Sequence, residues 1–183
     1  MFVVSDRVTE LRNCSFKLNV FLLKYNITSF EPLYSVRKNL AVVPALASTE
    51  VDGLSPTLGL PRDLKEDGLL FTATLEDAMA NLITPKAVLF PQKLYGTFGT
   101  AELIRLERLS PTAYSLTIHA SNVLPLIWLD LIDELKFQQR ELLFYFSENG
   151  FAMTSPTEHI KLIIYSNPKN VDISAKDIYI RVL

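Results

Sequence analysis

Cysteine is almost absent from this chain: Cys14 stands alone among 183 residues. One thiol cannot close an intrachain disulfide or build a Cys-based zinc site, so Cys14 reads as a small buried hydrophobe or a free thiol. Histidine is nearly as scarce. His119 and His159 are the only two and lie far apart in sequence; each reads as a surface or structural residue rather than a ligand or base. Basic runs are missing as well. The 18 Lys and Arg are outnumbered by 20 Asp and Glu, for a formal net charge of -2, and Arg37-Lys38 is the densest basic pair. Nucleic-acid binding needs a concentrated basic face that displaces counterions, so no nucleic-acid partner is expected. Attraction to anionic membranes is disfavoured for the same reason. No apolar run approaches the ~20 residues that span a bilayer as a helix, so no membrane partner is expected either. The opening M-F-V-V-S-D-R lacks the basic region and long apolar core of a signal peptide. It reads as a strand that starts abruptly, as in a chain that begins inside a larger protein or at a short natural N-terminus.

Catalytic signatures are missing too. No nucleophile elbow, phosphate loop or H-E-x-x-H is present, and Gly96-Thr97-Phe98-Gly99 is too short for a phosphate cradle and reads as a turn. Glycoside hydrolysis needs two carboxylates held across a sugar. Asp130 and Glu148 form such a pair on paper, but nothing singles them out among 20 acids. No catalytic residue, metal ligand or cofactor site is assigned.

What is present is strand grammar. Hydrophobic residues make up 49% and charged residues 21%, the balance of a chain that buries a core. Phe16, Leu18, Val20 and Leu22 fall on one face and Lys17 and Asn19 on the other, the period of two that marks a half-buried strand. Leu69, Phe71, Ala73 and Leu75 repeat the pattern, as do Tyr114, Leu116 and Ile118, and Ile178, Ile180 and Val182. Prolines and glycines punctuate 45–68, which reads as a long loop. Glu76 to Pro85 reads as one helical turn or, by preference, as an inter-domain joint. Residues 132–145 hold strong helix formers at helical spacing and predict a short inserted helix or an extended edge. Asn149-Gly150, between L-L-F-Y-F and I-K-L-I-I-Y, predicts a hairpin turn, since both residues tolerate positive φ; Glu148 and Asn149 are the loop residues there that could touch a ligand. Trp128, the only tryptophan, predicts a core anchor, with a sugar-stacking platform as the sharper reading. Asn13 and Asn26 open N-x-S/T sequons, candidate glycosylation sites.

Many short strands separated by frequent turns predict an all-β chain of two consecutive immunoglobulin-like β-sandwich domains. We place them at residues 1–84, with the 45–68 loop, and 85–183, each of a usual domain size.

Three motifs, in order, carry a family resemblance: I-W-L-D (127–130), F-S-E-N-G-F-A-M-T (146–154) and I-S-A-K-D-I-Y (173–179). They resemble the C-terminal immunoglobulin-like domain of β-mannosidases of glycoside hydrolase family two. M-F-V-V-S-D (1–6) with S-F-E-P-L (29–33) is similar to the preceding carbohydrate-binding-module-like sandwich of those enzymes. The chain departs from the pattern in a longer stretch between W-L-D and F-S-E-N-G-F, and in a linker, L-I-T-P-K-A-V, that lacks the usual Asn-Tyr. The family's two catalytic glutamates lie on a (β/α)8 barrel before these domains, so the resemblance implies a C-terminal accessory region, inactive alone, whose partner is that barrel. Oligosaccharide would be reached only through the parent enzyme, which would release terminal β-D-mannose from glycoprotein-derived oligosaccharides by a retaining mechanism without a cofactor, in the lysosome of an animal cell. Such a fragment is expected to expose an apolar patch where the barrel packs. Two alternatives stand beside it. One is a free-standing carbohydrate-binding or protein-interaction module; the other is an adhesion-type sandwich, which would call for a signal peptide and often a disulfide.

Overall fold

The computed structural model describes residues 2–182 apart from 24–27, 54–67, 92, 95, 97, 134 and 136–140. The chain divides into two compact units, Met1–Leu22 with Glu31–Tyr95, and Leu23–Phe30 with Gly96–Leu183. Both are built from antiparallel strands.

In the first unit, β1 (Phe2–Val4) pairs with β4 (Ser48–Glu50). The other strands, β2 (Leu11–Leu22), β3 (Tyr34–Val43), β5 (Leu69–Glu76) and β6 (Ala87–Leu89), form a sheet in the order β3-β2-β5-β6. The period-two reading of β2 holds. Phe16, Leu18 and Val20 are buried together with Cys14, Val51, Leu69, Phe71 and Leu75 in one cluster. Each such large apolar side chain contributes roughly 1.5–3 kcal/mol by leaving water. Burial also pushes the Cys14 thiol pKa up, with the Asp77 carboxylate adding to the effect.

Three expectations change here. The strand Ala87–Leu89, read as the start of the second domain, hydrogen-bonds to β5 through Phe71↔Leu89 and Ala73↔Ala87, so the first unit runs past residue 84 to Tyr95. Glu76 to Pro85 is therefore no inter-domain joint. Asp77 organises it as a turn: its Oδ1 accepts from Met79 N–H at 2.8 Å and Asn81 N–H at 2.9 Å, and its Oδ2 accepts from Asn81 Nδ2 at 3.0 Å. Those bonds to the charged form pull the Asp77 pKa down. The predicted 45–68 loop contains β4, and its 54–67 part lies outside the described residues.

In the second unit, β7 (Ala101–Ser110), β8 (Ala113–Ala120), β10 (Leu143–Phe146) and β12 (Thr157–Ser166) form a sheet ordered β10-β12-β8-β7. A three-stranded sheet follows the order β11-β9-β13, from β9 (Leu124–Leu131), β11 (Phe151–Met153) and β13 (Ile178–Val182). Tyr114, Leu116, Ile118, Ile160, Leu162 and Ile164 are buried on the first sheet, and Ile127, Leu129, Leu131 and Met153 on the second. This is the 4+3 strand count of a constant-type immunoglobulin sandwich.

A polar pin fastens the far end of the second unit. Tyr114 Oη donates to Asp172 Oδ1 at 2.9 Å and accepts from Ile173 N–H at 3.3 Å, and Arg108 reaches the same carboxylate at 3.2 Å. Burial is the main cause that pushes the Tyr114 pKa up. Two residues on, Ser174 N–H and Oγ both donate to Asp177 Oδ2, at 2.9 and 2.6 Å, which caps a 3-10 turn at Ala175–Asp177 leading into β13. These bonds give the S-A-K-D part of the terminal motif a structural reason. The helix predicted within 132–145 falls largely on residues outside the described set; Asp133 and Leu135 are helical.

Candidate functional site

The predicted hairpin at Asn149-Gly150 is a link between sheets instead. β10 pairs with β12, whereas β11 pairs with β9, so the chain leaves one sheet before the turn and enters the other after it. The physical reason lies in the Asn149 amide. Its Oδ1 accepts from Leu129 N–H at 2.8 Å and from Gly150 N–H at 3.0 Å, and its Nδ2 donates to Leu129 O at 2.8 Å. The side chain thus stands in for a strand residue opposite Leu129 and satisfies both polar groups of a backbone whose side chain is 1% exposed. Gly150 follows at φ +68°, and a side chain there would meet the Trp128 ring at 3.7 Å. Glycine suits the positive φ, while the 3.7 Å spacing to the indole is an ordinary van der Waals contact.

Trp128 is the second correction. It is 47% exposed, not a core anchor. Its neighbours Ile127, Leu129 and Leu131 take the buried positions, and alternation leaves the indole on the outer side. Pairing with β11 slips between Phe151↔Ile127 and Met153↔Leu124. That irregularity lets Leu124 and Ile127 both be buried although they differ in parity. A strand read by hydrophobicity alone hides such a shift.

Together these residues frame a cleft of about 280 Å³, lined by Trp128, Asp130, Phe144, Tyr145 and Asn149 with Leu129 and Phe146. One oxygen of Asp130 accepts Leu131 N–H at 2.8 Å. Across the ladder, Tyr179 stands opposite Asp130 and Arg181 opposite Trp128. Tyr145 stacks on Tyr165 with ring centroids 5.1 Å apart at 21°; loss of hydration and its bond to Tyr145 push the Tyr165 pKa up. Glu148 is exposed near the cleft but is not among the residues that line it. The cleft is aromatic with a few polar groups, the usual make-up of a small-molecule site. The sequence held all of these residues except Phe144 and Tyr145 in two of the family-like motifs, but nothing in their spacing showed that they meet.

The remaining candidate residues lie apart from this cleft. His159 Nδ1 is 3.3 Å from Thr117 Oγ1 on an exposed part of the sheet, and His119 faces Glu102 on the neighbouring strand. Among the described residues no cluster of three His, Cys, Asp or Glu is placed to hold a metal. Asn13 is exposed with φ 52°, a backbone conformation that Asn adopts more readily than most residues. Asn26 lies outside the described residues. The first unit carries a separate apolar cleft of about 340 Å³, lined by Phe2, Val4, Phe71, Val88 and Leu89 among others. Phe2 there is 61% exposed and Val4 77%. No helix among the described residues is long and apolar enough to cross a membrane.

Comparison with known proteins extends the motif resemblance. No family model matches the sequence. A Caenorhabditis elegans protein named "Probable beta-mannosidase" is 28% identical over 167 residues, which cover 89% of this chain and 17% of that protein. Among solved structures, a β-D-mannosidase from Dictyoglomus thermophilum superposes with TM-score 0.55 at 11% identity, covering 100% of this chain and 21% of its own. An Amycolatopsis orientalis exo-chitosanase does so with TM-score 0.54 at 11% identity, over 88% of this chain and 22% of its own. The resemblance to a β-mannosidase therefore holds over most of the sequence, and the all-β fold is shared with parts of the solved β-D-mannosidase and exo-chitosanase. The chain spans about a fifth of the length of these relatives.

Proposed function

We propose that the two sandwiches are the C-terminal, non-catalytic accessory region of a β-mannosidase, and that their partner is the enzyme's catalytic (β/α)8 barrel. The observation that carries this is the match to a β-mannosidase over most of this chain and a small part of that relative. The exposed apolar cleft of the first unit supports it, because an uncovered patch of that kind marks a surface meant for a partner. Under this reading the barrel supplies both catalytic carboxylates of a retaining glycosidase. The sandwiches brace it, and terminal β-mannosides are the substrate of the whole enzyme. The parent works in the lysosome of an animal cell, and the exposed Asn13 is a glycan acceptor on the way there.

The test is hydrolysis of p-nitrophenyl β-D-mannopyranoside by the purified chain at acidic pH. No turnover above buffer is expected from the chain alone. Turnover that survives repurification would overturn the reading and place a working carboxylate pair within these sandwiches.

A further inference from the structure

We infer that the cleft beside Trp128 binds one hexopyranose ring. The indole is half exposed and has Gly150 beside one edge of its ring. Chemistry points to a sugar because pyranose rings are amphipathic. The axial C–H face is apolar and weakly positive, which matches the negative face of an aromatic ring. The hydroxyls at the rim need strong acceptors and donors. Asp130 brings a carboxylate, an acceptor for several hydroxyl donors, to the cleft wall; one of its oxygens takes Leu131 N–H, and the group makes further contacts within the fold. Hydrogen bonds to a carboxylate are roughly twice as strong as neutral ones.

Size and charge narrow the class further. A volume of about 280 Å³ lies just below the ~300–1,000 Å³ of ordinary ligand pockets, which suits a single ring rather than an extended chain. Among the described residues, Asp130 is the charged residue that lines the cleft, and Arg181 stands opposite Trp128 on the neighbouring strand, so a neutral hexopyranoside is the simplest probe. The glycosidase names of the relatives favour saccharides over other small polar ligands. This site goes beyond the accessory role, which needs no sugar on this surface.

Because Trp128 is the only tryptophan, its fluorescence reports on its own cleft. The purified chain is titrated with methyl β-D-mannopyranoside and, separately, methyl β-D-glucopyranoside, with sorbitol as a non-cyclic control. A saturable shift with half-saturation of order 1 mM is expected for at least one pyranoside and none for sorbitol. Saturation-transfer NMR on the sugar protons then compares variants whose fold is checked by far-UV circular dichroism. Asp130→Asn, which keeps the shape, and Trp128→Ala are each expected to weaken binding at least tenfold, while His159→Ala, on an exposed part of the sheet away from the cleft, leaves it unchanged. No saturable response to either pyranoside up to about 50 mM overturns the inference, and so does binding retained in both cleft variants. A silent cleft in a chain that also lacks mannosidase turnover leaves the accessory role standing, so the two readings fail separately.

Discussion

Replacing Asn149 by alanine separates the two roles this residue could have. Its amide makes two 2.8 Å hydrogen bonds to the backbone of Leu129 and a third, at 3.0 Å, to Gly150 N–H. A typical intramolecular hydrogen bond contributes about 0.5–1.5 kcal/mol net, and a buried backbone group left without a partner costs about 1–3 kcal/mol. Leu129 is 1% exposed, but Asn149 itself borders solvent, so water recovers part of the loss. The net expectation for Asn149→Ala is a destabilisation of about 2 kcal/mol. With a urea slope of about 1–3 kcal/mol per molar, the unfolding midpoint falls by about 1 M. The assay is urea unfolding of the second unit followed by Trp128 fluorescence, whose ring lies against Gly150. A midpoint shift for Asn149→Ala worth less than about 0.5 kcal/mol, the size of an ordinary surface change, would refute the reasoning. It would also return Asn149 to the ligand-contact reading.

Other substitutions test the rest of the second unit. Trp128→Ala should cost less than Ile118→Ala: the tryptophan is 47% exposed and the isoleucine 0%, and a large-to-small change in the core costs about 2–5 kcal/mol; equal losses by circular dichroism would restore the core-anchor view. Gly99→Ala should lower stability sharply, because at φ +145° its Cβ would overlap the buried Asn122 side chain, which also bonds Phe98 O. Gly96→Ala, at φ +100° with open space around it, should cost only about 1 kcal/mol of backbone strain; thermal melts that rank the two the other way would contradict the packing at Asn122. Tyr114→Phe should remove the alkaline part of the stability profile. With its folded pKa raised by burial, Tyr114 contributes stability that is complete below its unfolded pKa of about 10 and disappears as pH climbs through the folded one. Unfolding midpoints between pH 8 and 11 that fall in parallel for wild type and variant would exclude this role.

The sequence by itself determined the fold class and most strands, because alternation is a local property. The Phe16, Leu18, Val20 series and the Tyr114, Leu116, Ile118 series both went inside as read. It also carried the family likeness, since ordered motifs survive where identity has fallen to 28%. Only tertiary structure decided which strands share a sheet. Ala87–Leu89 joined the first sheet through long-range hydrogen bonds that no local pattern encodes. Asn149-Gly150 had the residues of a hairpin, yet its amide paired with Leu129, 20 positions away in sequence. Trp128 had the residue type of a core anchor, yet the register of its strand turned it outward. In a strand the face a side chain takes depends on pairing and register, and those are fixed by partners distant in sequence. Hydrophobicity said that this strand would be buried, and only the assembled sheets said that its tryptophan would border a cleft with Asp130 and Asn149.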